Sequence, residues 1–312
     1  MNSTDSSPPP PLIPRDPTGH KGTFGTVAVI GGCGSVRTPM IGAPALAARA
    51  AFRAGCGLVR LIMPDTILRD GLILSPSATG FGMPIDHDAM PNDHLAVVEQ
   101  VQLATSTVIG PGLGADREQD RPLARLVADT VGTRRPMVID ADALNALSAA
   151  RVFETLDLSN CILTPHPGEF ARIARSLNLS HGPIEAEDRG EAALELAHRL
   201  QCVIVLKGAG TVVSDGNKVW TCDRGHHCLA TAGTGDVLAG ICGSFCAQFL
   251  TNGSLYNIAR QAVWVHAVAG ERWSASHHGS AGMLASELAD LVPESLAQLN
   301  ARGGEEPPTR QA

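Results

Sequence analysis

The sequence predicts an α/β protein in which a mainly parallel sheet lies between two layers of helices. Short runs rich in Val, Ile and Leu alternate with helical stretches, and most of these runs end at Gly or Pro. Such runs are typical of strands that are buried on both faces. Their alternation with helices indicates βαβ units and therefore parallel strands.

The predicted strands follow one another between residues 26 and 208. They are the apolar runs TVAVIGG (26–32), LVRLIMP (58–64), STVIGPG (106–112), PMVIDAD (136–142), CILTPHPG (161–168) and CVIVLKG (202–208). Helical stretches are predicted between them, for example at 42–55, 117–131 and 185–201. A hairpin follows, turning at Asp215-Gly216, because Asp-Gly is a preferred two-residue hairpin loop. Three more helices are predicted at 236–250, 255–274 and 280–299.

The organisation along the chain predicts one large domain with short polar ends. Residues 1–17 are rich in Ser and Pro, and residues 301–312 are rich in Gly, Glu and Pro, so both segments are predicted to be disordered. No repeat or linker divides residues 18–300. A chain of 312 residues has room for a sizeable core.

Composition argues against several classes of partner. The formal net charge is −7 and aromatic residues make up only 4% of the chain, so a nucleic-acid partner is not expected. No apolar stretch has the length of a membrane span, and no secretory signal pattern begins the sequence. The eight cysteines follow no CxxC pattern, which favours the reducing cytoplasm.

Candidate functional residues cluster where the predicted strands end, the edge at which open α/β sheets bind ligands. The segments at this edge are GG (31–32), GPGLG (110–114), DADALN (140–145), TPHPGEF (164–170), KGAGT (207–211) and GTGD (233–236). Each alone is compatible with an ordinary turn. Together they indicate a binding site.

The segment TAGTGDVLAGICGS (231–244) places small residues and an aspartate at the start of an apolar helix. Free N–H groups and the helix dipole attract an anion at such a start. Asp236 is therefore either the N-cap of this helix or a catalytic carboxylate beside a phosphate-binding turn.

The DADALN segment offers three polar side chains, those of Asp140, Asp142 and Asn145. Asp140 can contact a ligand or a magnesium-bound water, whereas Asp142 can simply cap the following helix. The glycines of GPGLG allow a ligand ring or phosphate to approach the backbone closely.

The next two segments carry a histidine, a glutamate and a lysine. Two prolines restrict the backbone of His166, which is either a structural histidine or a rigid substrate contact. Glu169 can cap a helix or pair with a cation. Lys207 ends a strand at a glycine, as a phosphate-binding lysine would, or is a solvated surface charge.

The segment TCDRGHHC (221–228) looks like a metal cluster, with ligands from Cys222, His226, His227 and Cys228. Its spacing matches no common zinc site, so we expect no metal there and a loop that leads into GTGD. The glycines at 31–34 do not form GxGxxG and the sequence has no P-loop, which excludes both of those nucleotide-binding motifs.

Taken together, these motifs resemble the bacterial ADP-dependent NAD(P)H-hydrate dehydratase family, which has a ribokinase-like three-layer αβα fold. The resemblance covers about residues 18–295. It is carried by HKGTFGTVAVIGG (20–32), GAPALAARAAFRAGCGLV (42–59), GPGLG, VIDADALN, LTPHPGEF, VLKGAGTVV, TAGTGDVLAGICGS and HHGSAGMLASELADLVP (277–293). The stretch CGSVRTPMIGAP (33–44) departs from the family's usual Tyr-Thr-Gly-Ala-Pro.

The resemblance implies a carbon–oxygen lyase that repairs nicotinamide cofactors. Such enzymes phosphorylate the C6 hydroxyl of the S-epimer of NAD(P)HX and eliminate phosphate, which restores NADH or NADPH. ADP or ATP as phosphoryl donor, Mg²⁺, a cytoplasmic location and a homo-tetramer are also implied. Many relatives carry an epimerase domain before the matching part, and only about 17 residues precede it here, so a separate epimerase or none is expected.

The resemblance also assigns site residues. It implies that the hydrate is contacted by Ala43, Gly112, His166 and Asp236. It implies that the nucleotide is contacted by Lys207, Gly208, Ala209, Gly210, Thr211 and Gly235. Asp236 would act as the general base, and N–H groups at the helix start would stabilise the transferring phosphoryl group.

Two other hypotheses remain. A small-molecule kinase of the hydroxymethylpyrimidine or hydroxyethylthiazole type would share GTGD, but should lack this combination of GPGLG, TPHPGEF and VLKG. A nucleotide-binding module without catalysis is the second, and the presence of Asp236, His166 and Lys207 argues against it.

Overall fold

One sheet runs through the residues that the computed structural model describes, which are 3–35, 38–85, 94–114, 120–180 and 188–302. Its ten strands in these ranges are β1 (Ser3–Thr4), β2 (Thr26–Ile30), β3 (Leu58–Pro64), β4 (Thr79–Met83), β5 (Ser106–Ile109), β6 (Met137–Ile139), β7 (Cys161–Leu163), β8 (Val203–Leu206), β9 (Val212–Ser214) and β10 (Lys218–Thr221). Their order is β1-β10-β9-β8-β7-β6-β5-β2-β3-β4. All neighbours are parallel except the two pairs that involve β9.

Helices cover both faces of this sheet. In the described ranges they are α1 (Gly42–Arg53), α2 (Asp65–Leu74), α3 (His94–Gln102), α4 (Asp120–Val131), α5 (Ala141–Ala150), α6 (Pro167–Leu177), α7 (Arg189–Leu200), α8 (Thr234–Phe249), α9 (Leu255–His277), α10 (Ala285–Asp290) and α11 (Val292–Arg302). None of them is both long and apolar enough to cross a membrane.

The sheet separates two apolar cores, as a three-layer fold requires. Along β2, Val27 and Val29 face one core while Ala28 and Ile30 face the other, because successive side chains of a strand alternate. Helices α1, α8 and α9 cover the first core, and α4 to α7 cover the second. The predicted α/β fold with a mainly parallel sheet is confirmed.

The observed elements outnumber the predicted ones, and two of the differences have a clear cause in the local sequence. Strand β4 is absent from the prediction because its sequence, TGFGM, contains two glycines and no β-branched apolar run. The helix predicted at 280–299 is two helices, α10 and α11, which meet at Leu291. Pro293 stands at the second position of α11, where its missing N–H is tolerated, and not inside a longer helix.

The N-terminal segment also differs from its predicted disorder over residues 3–17. Strand β1 pairs with β10, and the Arg260 guanidinium contacts Asp5 Oδ2 at 3.1 Å and the Ser7 carbonyl at 2.5 Å. Gln261 Nε2 donates to the carbonyl of Pro10, and Leu12 is buried. Prolines lack a donor but keep a carbonyl acceptor, so polar side chains of α9 can hold this segment.

The parallel strands bring the predicted site segments to one edge of the sheet. Ile109 pairs with Ile139, and Ile139 pairs with Leu163, so GPGLG, DADALN and TPHPGEF begin side by side. Gly110 has a φ of +127°, and a Cβ there would lie 1.8 Å from the Asp140 carbonyl oxygen. Only glycine permits this close packing of the first two loops.

Candidate active site

Lys207 lies among carboxylates at the carboxyl edge of the sheet, directly after β8. Its Nζ donates to Asp140 Oδ1 at 2.8 Å and lies 3.7 Å from Glu169 Oε2. The side chain is 18% exposed, so it is not a solvated surface charge. Burial acts to lower the pKa of Lys207, but Asp140 and Glu169 outweigh it and the pKa is raised. The ammonium group therefore stays charged.

Asp236 is half-buried in the first turn of α8, and it is not the N-cap of that helix. The N-cap is Gly233, in the left-handed conformation with a φ of +91°. Burial raises the pKa of the Asp236 carboxyl to about 7; the charge of Asp140 adds to this rise, and Lys207 opposes it. A carboxyl that titrates near neutral pH is suited to accept a proton from a substrate hydroxyl.

The backbone at the start of α8 is held by side chains around Thr234. Thr234 Oγ1 donates to the carbonyls of Leu229 and Thr231, both at 2.9 Å. His266 Nε2 donates to the Thr234 carbonyl at 2.9 Å, and burial lowers the pKa of His266 to about 4, so the imidazole is neutral. These bonds fix the turn, and the first N–H groups of a helix have no partner within it. The turn can therefore offer them to an anion.

A cavity of about 660 Å³ opens beside Lys207 and the start of α8. The 207–211 loop, Gly235 and residues of the 222–230 loop line it, and Leu238 and Val263 contribute apolar surface. Its volume lies within the range of small-molecule sites. The structure thus brings the six predicted nucleotide contacts together around one cavity.

Arg189 holds the 207–211 loop, although no motif in the sequence singles it out. This buried residue begins α7, and its Nη1 donates to the carbonyl oxygens of Ala209 and Gly210. A Cβ on Gly208, whose φ is +152°, would lie 2.8 Å from the same Nη1. A single arginine at a helix start looks like a surface charge in the sequence, so only the fold reveals this contact.

Ala43 and Gly112 lie next to each other, at the start of α1 and in the GPGLG loop. A Cβ on Gly112, whose φ is +65°, would lie 3.3 Å from the Ala43 Cβ. Asp142 Oδ2 accepts a hydrogen bond from the N–H of Gly114 at 2.8 Å, so this carboxylate holds the GPGLG loop, whereas the prediction allowed only a helix cap. The charge of Asp142 also helps to raise the pKa of Asp236.

His166 caps α6 and keeps half of its side chain exposed. Its Nδ1 accepts hydrogen bonds from the N–H groups of Gly168 at 2.9 Å and Glu169 at 3.3 Å. Glu169 Oε2 accepts in return from the His166 N–H at 2.7 Å, which completes a capping box. Burial lowers the pKa of His166 and Lys207 lowers it further. His166 therefore has a structural role as the cap of α6 and also presents an exposed, neutral ring.

The Cys222–Cys228 segment forms a wall of the cavity. His226 Nδ1 accepts from the Cys228 N–H at 3.2 Å, and both cysteines are buried. Burial raises the pKa of the Cys222 thiol to about 12. Among the described residues, no group of three or more His, Cys, Asp or Glu side chains is placed to hold a metal ion.

Comparison with known proteins supports one family. Residues 27–294 match the family model described as NAD(P)H-hydrate dehydratase. The chain is 39% identical to the ADP-dependent (S)-NAD(P)H-hydrate dehydratase of Neisseria meningitidis serogroup B, over 86% of this chain and 84% of that protein. It is also 39% identical to the bifunctional NAD(P)H-hydrate repair enzyme Nnr of Salinibacter ruber, over 91% of this chain and 50% of that protein. The chain thus spans about half the length of such bifunctional relatives.

A solved structure gives the same result for the fold. The ADP/ATP-dependent NAD(P)H-hydrate dehydratase of Bacillus subtilis, co-crystallised with ATP/Mg²⁺, superposes with a TM-score of 0.70 at 27% sequence identity. The match covers 93% of this chain and 95% of the Bacillus chain. The expected ribokinase-like three-layer fold is confirmed.

Proposed function

The chain belongs to the NAD(P)H-hydrate dehydratase family, and on this premise we propose that it restores NADH and NADPH from the S-epimers of their hydrates with ADP as phosphoryl donor. The observation that carries the proposal is the position of Asp236. Its carboxyl, with a pKa of about 7, stands at the start of α8 beside the cavity lined by Lys207 and Gly235. The proposed base, Asp236, therefore lies next to the proposed phosphate site.

We propose that the nucleotide occupies the cavity with its phosphates at Lys207 and the start of α8. A Cβ on Gly235 would lie 3.4 Å from Lys207 Nζ, so the helix start and the ammonium group face the same space. Both attract phosphate, the first through N–H groups and the helix dipole, the second through its charge. The contacts assigned to residues 207–211 and Gly235 agree with this placement.

The hydrate is proposed to bind on the other side of Asp236, against Ala43, Gly112 and His166. The start of α1 packs on the start of α8, since a Cβ on Gly233 would lie 2.7 Å from Leu46 Cδ1. The helix that carries Ala43 therefore lies next to the turn that carries Asp236, and Gly112 adjoins Ala43. In this proposal the base stands between the two ligands.

The proposed reaction has two steps. Asp236 takes the proton of the C6 hydroxyl, whose oxygen attacks the terminal phosphorus of ADP; the new O–P bond forms as AMP leaves. The lone pair of the ring nitrogen then expels phosphate from C6, and loss of a proton from C5 completes the double bond. Lys207 and the N–H groups of the α8 start stabilise the charge on the phosphoryl oxygens.

We propose that Mg²⁺ binds as a complex with the phosphates of the nucleotide. Asp140 already accepts from Lys207 and from Thr164 Oγ1, and Glu169 accepts from the His166 N–H, so these carboxylates are engaged. Mg²⁺ usually keeps several waters and binds through substrate phosphates with one or two carboxylates. With these carboxylates engaged, the ion would be held by the nucleotide phosphates and its own waters, and it would neutralise phosphate charge.

Three properties complete the proposal. All eight cysteines are buried and free of disulfides, which supports a location in the reducing cytoplasm. An NAD(P)HX epimerase is proposed to supply the S-epimer, and the relatives named bifunctional repair enzymes support a second activity in the repair of the hydrate. A homo-tetramer is proposed from the family resemblance, and light scattering of the purified protein tests it.

The function is tested by incubating the protein with NADHX and either ADP or ATP. We expect the near-ultraviolet absorbance of NADH to appear, with equal amounts of phosphate and of AMP when ADP is the donor. A reaction without nucleotide is the control. Accumulation of a phosphorylated product without a gain in NADH absorbance would instead support a small-molecule kinase.

A further inference from the structure

One wall of the 660 Å³ cavity is not used by the chemistry above. It is the 222–230 loop, from which His226 and His227 line the cavity, whereas the phosphates are proposed to bind at Lys207 and Gly235, which also line it. The wall contains two adjacent imidazole rings in a chain with few aromatic residues. Their arrangement indicates what they bind.

His226 is fixed in place by two polar contacts. Its Nδ1 accepts from the Cys228 N–H, and its Nε2 lies 3.2 Å from Ser274 Oγ on α9. The ring centroid of His227 lies 3.9 Å from that of His226, with the planes tilted by 32°. His227 itself is exposed. One ring thus supports the other, which remains accessible from the cavity.

The surroundings of this ring pair suit a flat, uncharged group. Leu229 and Ala267 line the cavity together with the two histidines. The positive charge of Arg224 is neutralised, because its Nε lies 3.0 Å from both carboxylate oxygens of Glu271. Glu271 also accepts from the Gly225 N–H at 2.7 Å. This wall is therefore not a second phosphate site.

We propose that His227 stacks on the purine base of the nucleotide, an assignment that rests on the proposed nucleotide site. The phosphates then lie at Lys207 and the base at the 222–230 loop. Stacking of a base on an aromatic side chain corresponds to about a 5- to 100-fold gain in affinity. His227 would thus contribute to the choice of a purine nucleotide over free phosphates.

The test is calorimetric titration of the whole protein with ADP and with pyrophosphate, which has no base. His227→Ala should weaken ADP binding about 5- to 100-fold and leave pyrophosphate binding unchanged. His227→Phe should bind ADP nearly as wild type does, because phenylalanine also offers a ring face. His198→Ala, an exposed histidine on α7, is the control and should change neither affinity.

Several results would overturn the assignment. Equal ADP affinity of wild type and His227→Ala removes the stacking role and leaves the proposed function intact. If His227→Ala loses ADP and pyrophosphate affinity equally, His227 is a phosphate contact. If His227→Phe binds ADP as weakly as His227→Ala does, stacking is excluded. Failure of the wild type to bind ADP overturns the proposed function and the stacking together.

Discussion

The Nζ atom of Lys207 lies 2.8 Å from Oδ1 of Asp140, and Thr164 Oγ1 donates to the same oxygen at 2.7 Å. The Asp140 side chain is only 2% exposed, so these two donors replace the water that a carboxylate would otherwise bind. The pair holds the ammonium group next to Gly235 at the start of α8. A fixed positive charge is therefore present where phosphate is proposed to bind, within electrostatic reach of Asp236.

The pH profile should follow the Asp236 carboxyl. Only the deprotonated form is a base, so kcat/KM should rise with pH and level off above a midpoint near 7. Lys207→Met removes a charge that lowers this pKa, so the midpoint should move upward even though turnover falls. A rate that is constant from about pH 5 to about pH 9, or a downward shift in the variant, would contradict this role.

Gly235→Val should impair use of the nucleotide more than binding of the hydrate. Gly235 lies within the first turn of α8, so a larger side chain is limited by the space around it and not by the backbone conformation. A Cβ at this position would already lie 3.4 Å from Lys207 Nζ, and the two methyl groups of valine would extend further. The KM for ADP should rise, and Gly235→Ala, whose Cβ alone fits, should stay near wild type. An unchanged KM for ADP in a folded Gly235→Val variant would show that phosphate binds elsewhere.

His166→Asn should separate the two roles of His166. Asparagine is a good N-cap, so the melting temperature should stay close to that of wild type, whereas His166→Ala should lower it. If the ring contacts the hydrate, both variants should lose about 10- to 100-fold in hydrate affinity, the value of a hydrogen bond to a charged group. If His166→Asn binds the hydrate as tightly as wild type does, only the capping role of His166 remains.

Arg189→Lys should weaken nucleotide binding through the 207–211 loop. Lysine keeps the charge but cannot reproduce the guanidinium that reaches the carbonyls of Ala209 and Gly210. ADP affinity should fall about two- to tenfold, the value of one ordinary hydrogen bond, while kcat changes little. Arg199→Lys, on the exposed side of the same helix, is the control. Equal ADP affinity in the two variants would remove the positioning role of Arg189.

The common location of the site segments could be predicted because parallel strands end at the same edge of a sheet, independently of their side chains. Lys207, Asp140 and Glu169 follow three neighbouring strands, so their approach follows from strand order. The roles of single side chains could not be predicted in the same way. Asp142 holds a loop that lies 28 residues away in sequence, and no local pattern encodes that contact.

Contacts between distant segments account for features that composition alone could not predict. Residues 3–17 have the composition of a disordered segment, yet Arg260 and Gln261 on α9 hold them. The 222–228 segment looks like a metal cluster, but the side chain of His226 is held by a backbone N–H two residues away and by a serine on α9. Arg260, Gln261 and the serine, Ser274, all lie on α9, whose position only the fold determines.

The central claim is that Asp236 accepts the hydroxyl proton at the phosphate end of the cavity, and the turnover of Asp236→Asn tests it most directly. Asparagine keeps the shape of the side chain but cannot act as a base. NADH formation from NADHX and ADP should fall about 10²- to 10⁴-fold, with the Kd for ADP nearly unchanged. Turnover of the variant at the wild-type rate would contradict the claim.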